Sequence, residues 1–244
     1  MKETSGNTAT AQRAGNGPNL AAIAALIAGP AIAVSQWCIW SYAPVEQTMG
    51  LVQKIFYVHM PLAWWSMFSF FLVFVSGVAF LLKRTMFWDH LAGAAAEVGV
   101  LFSGLALATG MLWGKPAWGV WWTWDPRLTT TLIMWFIYAA YCIVRSLAMN
   151  PERRAVVSAV LGIVAFLDVP LVFLSARLWR SIHPAVLAAK GGGLEPEMKT
   201  TLFVCLGAWF FLWFALVAVR TRQNTQAARL ETLVSLDDEE SVHG

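Results

Sequence analysis

Runs of about 20 consecutive apolar residues recur along this chain, each long enough to cross a hydrocarbon core of about 30 Å as an α-helix. No other feature constrains the fold as much. Within lipid every backbone N–H and C=O must bond internally, which leaves helices or closed barrels. Barrel strands alternate apolar and polar residues over short segments, whereas the apolar stretches here are continuous. They cover Leu20 to Tyr42, Pro61 to Leu82, Ala92 to Leu112, Leu128 to Met149, Ala155 to Ser175 and Thr201 to Val219. A signal peptide is the rival reading of the first run, but that run continues through Trp37 and Trp40, past signal length. The pattern predicts an all-α integral membrane protein with six transmembrane helices, the membrane domain spanning 20–220 between a flexible tail at 1–19 and a second tail at 221–244. Composition agrees: 58% of residues are apolar and 13% charged, about half the charge of a soluble domain, so little is left for a separate soluble catalytic domain. The net charge of +3 is too small to suggest nucleic acid. Cys38, Cys142 and Cys205 sit within or at the ends of apolar runs without CxxC or CxxCH spacing, and read as small core residues.

Six spans put both termini on one side. That side then holds ten of the seventeen Lys and Arg residues, among them Lys83, Arg84, Arg145, Arg153, Arg154 and Arg220. The bias predicts cytoplasmic termini. Three loops, 43–60, 113–127 and 176–200, then face outward.

The outward loops carry the chemistry. Two of the four histidines, His59 in YVHMP and His183 in RSIHP, fall in different outward loops, each just before a proline that biases the backbone away from helix. Neutral imidazoles from two loops can ligate one metal, haem iron included, from opposite faces; unrelated interfacial histidines are the plainer reading. His90 and His243 lie on the other side. Between the two stands WGKPAWGVWWTWDPRL, with five tryptophans from Trp113 to Trp124. A short helix starting near Ala117 places Trp118, Trp121, Trp122 and Asp125 on one face, lying along the membrane surface. An aromatic belt needs only one or two Trp per helix end, so a platform for a large planar ring system is the sharper reading. Arg127 is placed to meet an anionic ligand group or to pair with Asp125, and Lys54, Arg177 and Arg180 stand close to the histidines as further cations or as headgroup anchors.

This segment resembles the tryptophan-rich WWD signature of the haem-handling membrane proteins of cytochrome c maturation. The resemblance is closest to the haem exporter protein C (CcmC) family, on the six-span length, the YVHMP histidine before the second span and the W-R-S-I-H-P histidine before the sixth. It extends over residues 20–220 and implies a chain that binds haem b (iron protoporphyrin IX) at the periplasmic face of the bacterial inner membrane. His59 and His183 would be axial ligands, and Trp113, Trp118, Trp121, Trp122, Trp124 and Asp125 the platform. Arg127, Lys54, Arg177 and Arg180 are then propionate candidates. Such proteins present haem to the chaperone CcmE for covalent attachment, with CcmA, CcmB and CcmD as further subunits. The chain has no Walker A motif, so ATP hydrolysis falls to partners, and no residue is assigned a catalytic role. It departs from the family pattern at Arg177 and Leu178, where an acid and a second Trp are expected, while Trp179 keeps its place before His183.

Two other functions are compatible with some of these residues. A b-type electron carrier also uses bis-histidine ligation, but is expected to have histidines within its helices. A permease subunit needs a polar path, and only Glu97 and Asp168 lie within spans. Asp168, ahead of Pro170, is expected to kink the fifth span and either shape a cavity under the haem or bond a neighbouring helix as a neutral acid, and Glu97 to be solvated near the inner surface.

Overall fold

The computed structural model describes residues 19–147, 149–179 and 194–243. Its elements are α1 (Leu20–Trp37), closed by a π-helical turn at Cys38–Tyr42; a 3₁₀ turn (Leu51–Ile55) running into α2 (Phe56–Lys83); α3 (Met86–Trp118); α4 (Pro126–Ser146); α5 (Pro151–Ala165); α6 (Asp168–Leu178); and α7 (Pro196–His243). Six stretches are long and apolar enough to cross a membrane: Leu20–Tyr42, Leu51–Lys83, Met86–Trp118, Pro126–Ser146, Pro151–Ser175 and Pro196–Asp238. No strand forms among the described residues.

The helix starts follow from local chemistry. Asp125 and Asn150 cap α4 and α5, each side chain accepting the backbone N–H two residues on, at 2.9 and 3.0 Å, and each is followed by proline in the first helical position. The fifth span breaks between Ala165 and Asp168, as Pro170 leads one to expect, because proline cannot donate to the preceding turn. Two other prolines did not act as expected. Pro61 lies inside α2 and Pro116 inside α3, so α2 begins earlier and α3 ends later than the apolar runs alone indicate.

A central pair, α2 and α3, is flanked on one side by α1 and α7 and on the other by α4, α5 and α6. Lipid gives no hydrophobic drive between helices, so close approach at small residues and interhelical hydrogen bonds must hold the bundle. Gly99 of α3 shows the first: a Cβ there would lie 2.5 Å from the ring of Phe70, which stacks at 3.7 Å on Tyr138 of α4. The indoles supply the second. Trp213 of α7 donates to Ser69 of α2 at 2.7 Å, Trp65 of α2 to the Leu206 carbonyl at 3.1 Å, and Trp135 of α4 to the Val100 carbonyl at 3.1 Å.

Charges gather at the end of the bundle opposite Trp113. Arg145 of α4 grips the Asp89 carboxylate through both terminal nitrogens, at 2.5 and 2.9 Å, and adds a bond to the Asp89 carbonyl. Glu97 is not simply solvated: it forms an ion pair with Arg220 of α7. Asp168 lines a lateral cleft of about 610 Å³ with Ile137, Tyr141, Leu161 and Leu171, among others. Among the described residues, His59, the tryptophans from Trp113 to Trp124 and Arg127 do not line that cleft.

Candidate functional site

His59 is in the first turns of α2 rather than in a loop. Its Nδ1 lies 3.0 Å from the Ala106 carbonyl and 3.1 Å from the Thr109 hydroxyl of α3. A carbonyl only accepts, so Nδ1 carries the proton and the lone pair of the neutral ring belongs to Nε2. A carbonyl bonded to the ring nitrogen in this way fixes the tautomer and orientation that a metal-binding histidine needs. Gly110 completes the seat: a Cβ there would meet His59 Cε1 at 3.2 Å. Ala106, Thr109, Gly110 and Trp113 follow the i, i+3, i+4, i+7 spacing, so Trp113 lies about one turn beyond Gly110 on the face of α3 that seats His59. The small residues of LALATGMLW carry this seat, and their helical spacing was the signal that the sequence reading missed.

The tryptophan segment does not form the short surface helix expected from Ala117 onward. Helix α3 instead runs through Pro116 to Trp118, and Gly119, in the left-handed region at φ 77°, caps it by donating to the Lys115 carbonyl at 2.9 Å. Residues 120–125 are then irregular, and Pro126 holds Asp125 extended. Without one helical face, the indoles arrange as two edge-to-face pairs. Trp113 meets Trp118 at 5.4 Å and 81°, and Trp122 meets Trp124 at 5.9 Å and 83°. Trp121 and Trp124 are exposed, at 56% and 78%, while Trp113, Trp118 and Trp122 are half-buried.

Several donors in this segment are buried without a partner among the described residues: the indole nitrogens of Trp113 and Trp122 and the hydroxyls of Thr123 and Thr129. An unsatisfied buried donor costs about 1–3 kcal/mol, so the cluster suits a ligand with apolar faces and acceptor oxygens at its edge. A porphyrin with carboxylate side chains has that chemistry, and the residues fit it.

The charged candidates are used differently from one another. Asp125 is a buried helix cap, accepting the backbone N–H of Arg127. Lys54 was read as a propionate or headgroup contact. It is instead 5% exposed and donates to the carbonyls of Ile39 at 2.6 Å and Trp40 at 3.4 Å, with its ammonium 5.2 Å from the Trp40 ring centroid. These are C-terminal carbonyls of the first span, where a cation is favoured. Arg180 and His183 lie outside the described residues, as does the side chain of Arg177; Trp179 ends α6, half exposed. His90 is far from this end, about 34 Å from Trp113 along α3 at ~1.5 Å per residue. Its Nδ1 is 3.0 Å from the Thr225 hydroxyl. Among the described residues no group of three or more His, Cys, Asp or Glu side chains is arranged to hold a metal ion.

A family model described as Heme exporter protein C matches residues 7–235. Heme exporter protein C of Bradyrhizobium diazoefficiens is 34% identical over 193 residues, 78% of this chain and 73% of that protein. The protein of the same description from Paracoccus denitrificans is 29% identical over 217 residues, 87% of this chain and 90% of its own length. A putative cytochrome c biosynthesis ccmC-like mitochondrial protein of Marchantia polymorpha is 33% identical over 186 residues, 76% of this chain and 78% of that protein.

Proposed function

Since this chain belongs to the haem exporter protein C family, we propose that its role in haem handling for cytochrome c maturation is to hold haem at the outer membrane face and present it to the chaperone CcmE. The observation that carries this reading is the juxtaposition of His59, its tautomer set by the Ala106 carbonyl, with Trp113 on the face of α3 that seats it. His59 would be one axial ligand and His183, which precedes α7 in sequence, the other. Bound haem would be the group to which the chaperone becomes covalently joined; this chain's residues would bind, orient and shield it. The exposed rings of Trp121 and Trp124 would lie against the macrocycle, and the buried indole N–H groups of Trp113 and Trp122 would meet its polar edge. Arg127, at the start of α4 and five residues after Trp122, would complement a propionate. Lys54 is assigned to closing α1 instead. CcmA, CcmB and CcmD are the proposed partner subunits, and the inner membrane with cytoplasmic termini the proposed setting.

Co-expression with CcmE tests the reading. After separation in denaturing gels, covalent haem on CcmE should be abolished by His59→Ala and by His183→Ala. Unchanged loading in both variants would remove the histidines from the site. Retained, non-covalent haem with no transfer in the parent would favour an electron carrier.

A further inference from the structure

Helix α7 continues beyond the membrane as one unbroken helix to His243, although the sequence reads as a solvated tail from 221 onward. Its direction is fixed where it leaves the bundle. Glu97 pairs with Arg220, Asn19 accepts from Arg222, Thr225 meets His90 at 3.0 Å, and Asn224 donates to the His90 carbonyl at 3.2 Å. Beyond Thr225 these braces stop, and the helix carries an apolar stripe on which no described residue packs. Leu230, Leu233 and Val234, spaced i, i+3, i+4, are 62%, 62% and 61% exposed. One turn further, Asp237 stands at i+7 from Leu230 and i+4 from Leu233, on the same face, with Asp238 beside it, both exposed.

We infer that this projecting stripe is a docking helix for a soluble protein that offers an apolar groove with a basic rim. A helix laid in a groove is read through anchors at such spacing, and the acids that follow on the same face ask for Lys or Arg at one end of the groove. Lipid is a poor occupant. At ~1.5 Å per residue Leu230 lies about 15 Å past Arg220 along a straight axis, and the carboxylates are repelled by an anionic leaflet. A second copy of this chain is also a poor occupant, since parallel self-pairing would set Asp237 against its equivalent and offers one heptad where a coiled coil needs three or four. The inference rests on the orientation proposed above only for the compartment in which the partner is found.

The test places the photo-crosslinking residue p-benzoylphenylalanine in the full-length chain, in cells that also produce the other maturation proteins. It replaces Leu230, Val234 or, on the opposite face, Ser235. The expected result is one soluble-protein adduct from positions 230 and 234 and none from 235, reduced tenfold or more when Asp237→Lys and Asp238→Lys are added. Leu230→Glu with Val234→Glu should leave the bound-haem spectrum unchanged, which separates failure of this inference from failure of the haem reading. Adducts with lipid or with a second copy only, equal adducts from position 235, or none at all would overturn it.

Discussion

The two ends of α3 treat their polar groups in opposite ways. At the Met86 end, Asp89 is held by three bonds from Arg145, and His90 is tied to Thr225 and Asn224, so the charges satisfy one another and join α3, α4 and α7. His90 Nε2, Arg154 Nε and the Tyr141 hydroxyl are exceptions among the described residues at that end. At the Trp118 end, His59 is oriented but the indoles of Trp113 and Trp122 and the hydroxyls of Thr123 and Thr129 are buried with no described partner. A closed network is what a bundle needs for its own stability. A preoriented imidazole among unmatched donors is what a ligand needs. Two histidines on one helix pair are therefore distinguishable by their surroundings, though not by their residue type.

Breaking that contrast gives the largest effects. His59→Ala should abolish low-spin haem absorption in purified protein that remains folded, whereas His90→Ala should lower the thermal midpoint while haem stays bound. Arg145→Leu leaves the Asp89 carboxylate buried and unpaired, which costs about 3–5 kcal/mol. Thermal unfolding in detergent should show that loss, while haem bound per folded molecule is unchanged. Within the Trp118 end, Gly110→Val pushes a branched side chain into His59. Overpacking of about 1–3 kcal/mol is then expected as a tenfold or larger fall in haem retention, measured by titration. Trp122→Phe removes one donor and keeps the ring, so it should weaken haem by about 1 kcal/mol, whereas Trp135→Phe, whose indole already bonds Val100, should leave haem affinity as it was.

The smallest effect concerns Glu46, in the loop ahead of α2. Its carboxylate accepts the backbone N–H groups of Thr48 and Met49, which holds its pKa below the usual carboxylate range. A depressed folded pKa contributes order that is fully present above the ordinary value of 4.5 and is lost as pH falls through the lowered one. Limited proteolysis of the 43–50 loop should accordingly be flat from pH 8 to 5 and rise only below 4.5.

The spans were legible because lipid demands uninterrupted apolar helices, and the break before Asp168 because Pro170 removes a donor. The capping of α4 by Asp125 was hidden behind the ligand reading of the same WWD motif: an Asp before Pro and a helix is also a cap. The bonds of Lys54 were not legible, because its distance from His59 in sequence says nothing about the carbonyls of Ile39 and Trp40 folding back onto it. The seat of His59 on Ala106, Thr109 and Gly110 lies about 50 residues away in the chain, and such pairings depend on how α2 and α3 pack. The helical continuation of α7 was masked by its charge, although Gln, Ala, Arg, Leu and Glu there are good helix formers.

The most direct test of the central claim is chemical rescue of His59→Gly. Removing the ring leaves room beside Gly110 for free imidazole, so absorption spectra recorded with and without added imidazole read ligation itself, apart from any general loss of folding. The account predicts that the low-spin haem spectrum disappears in this variant and returns with imidazole. A spectrum that survives the substitution, or one that imidazole fails to restore in protein shown to be folded, would contradict it.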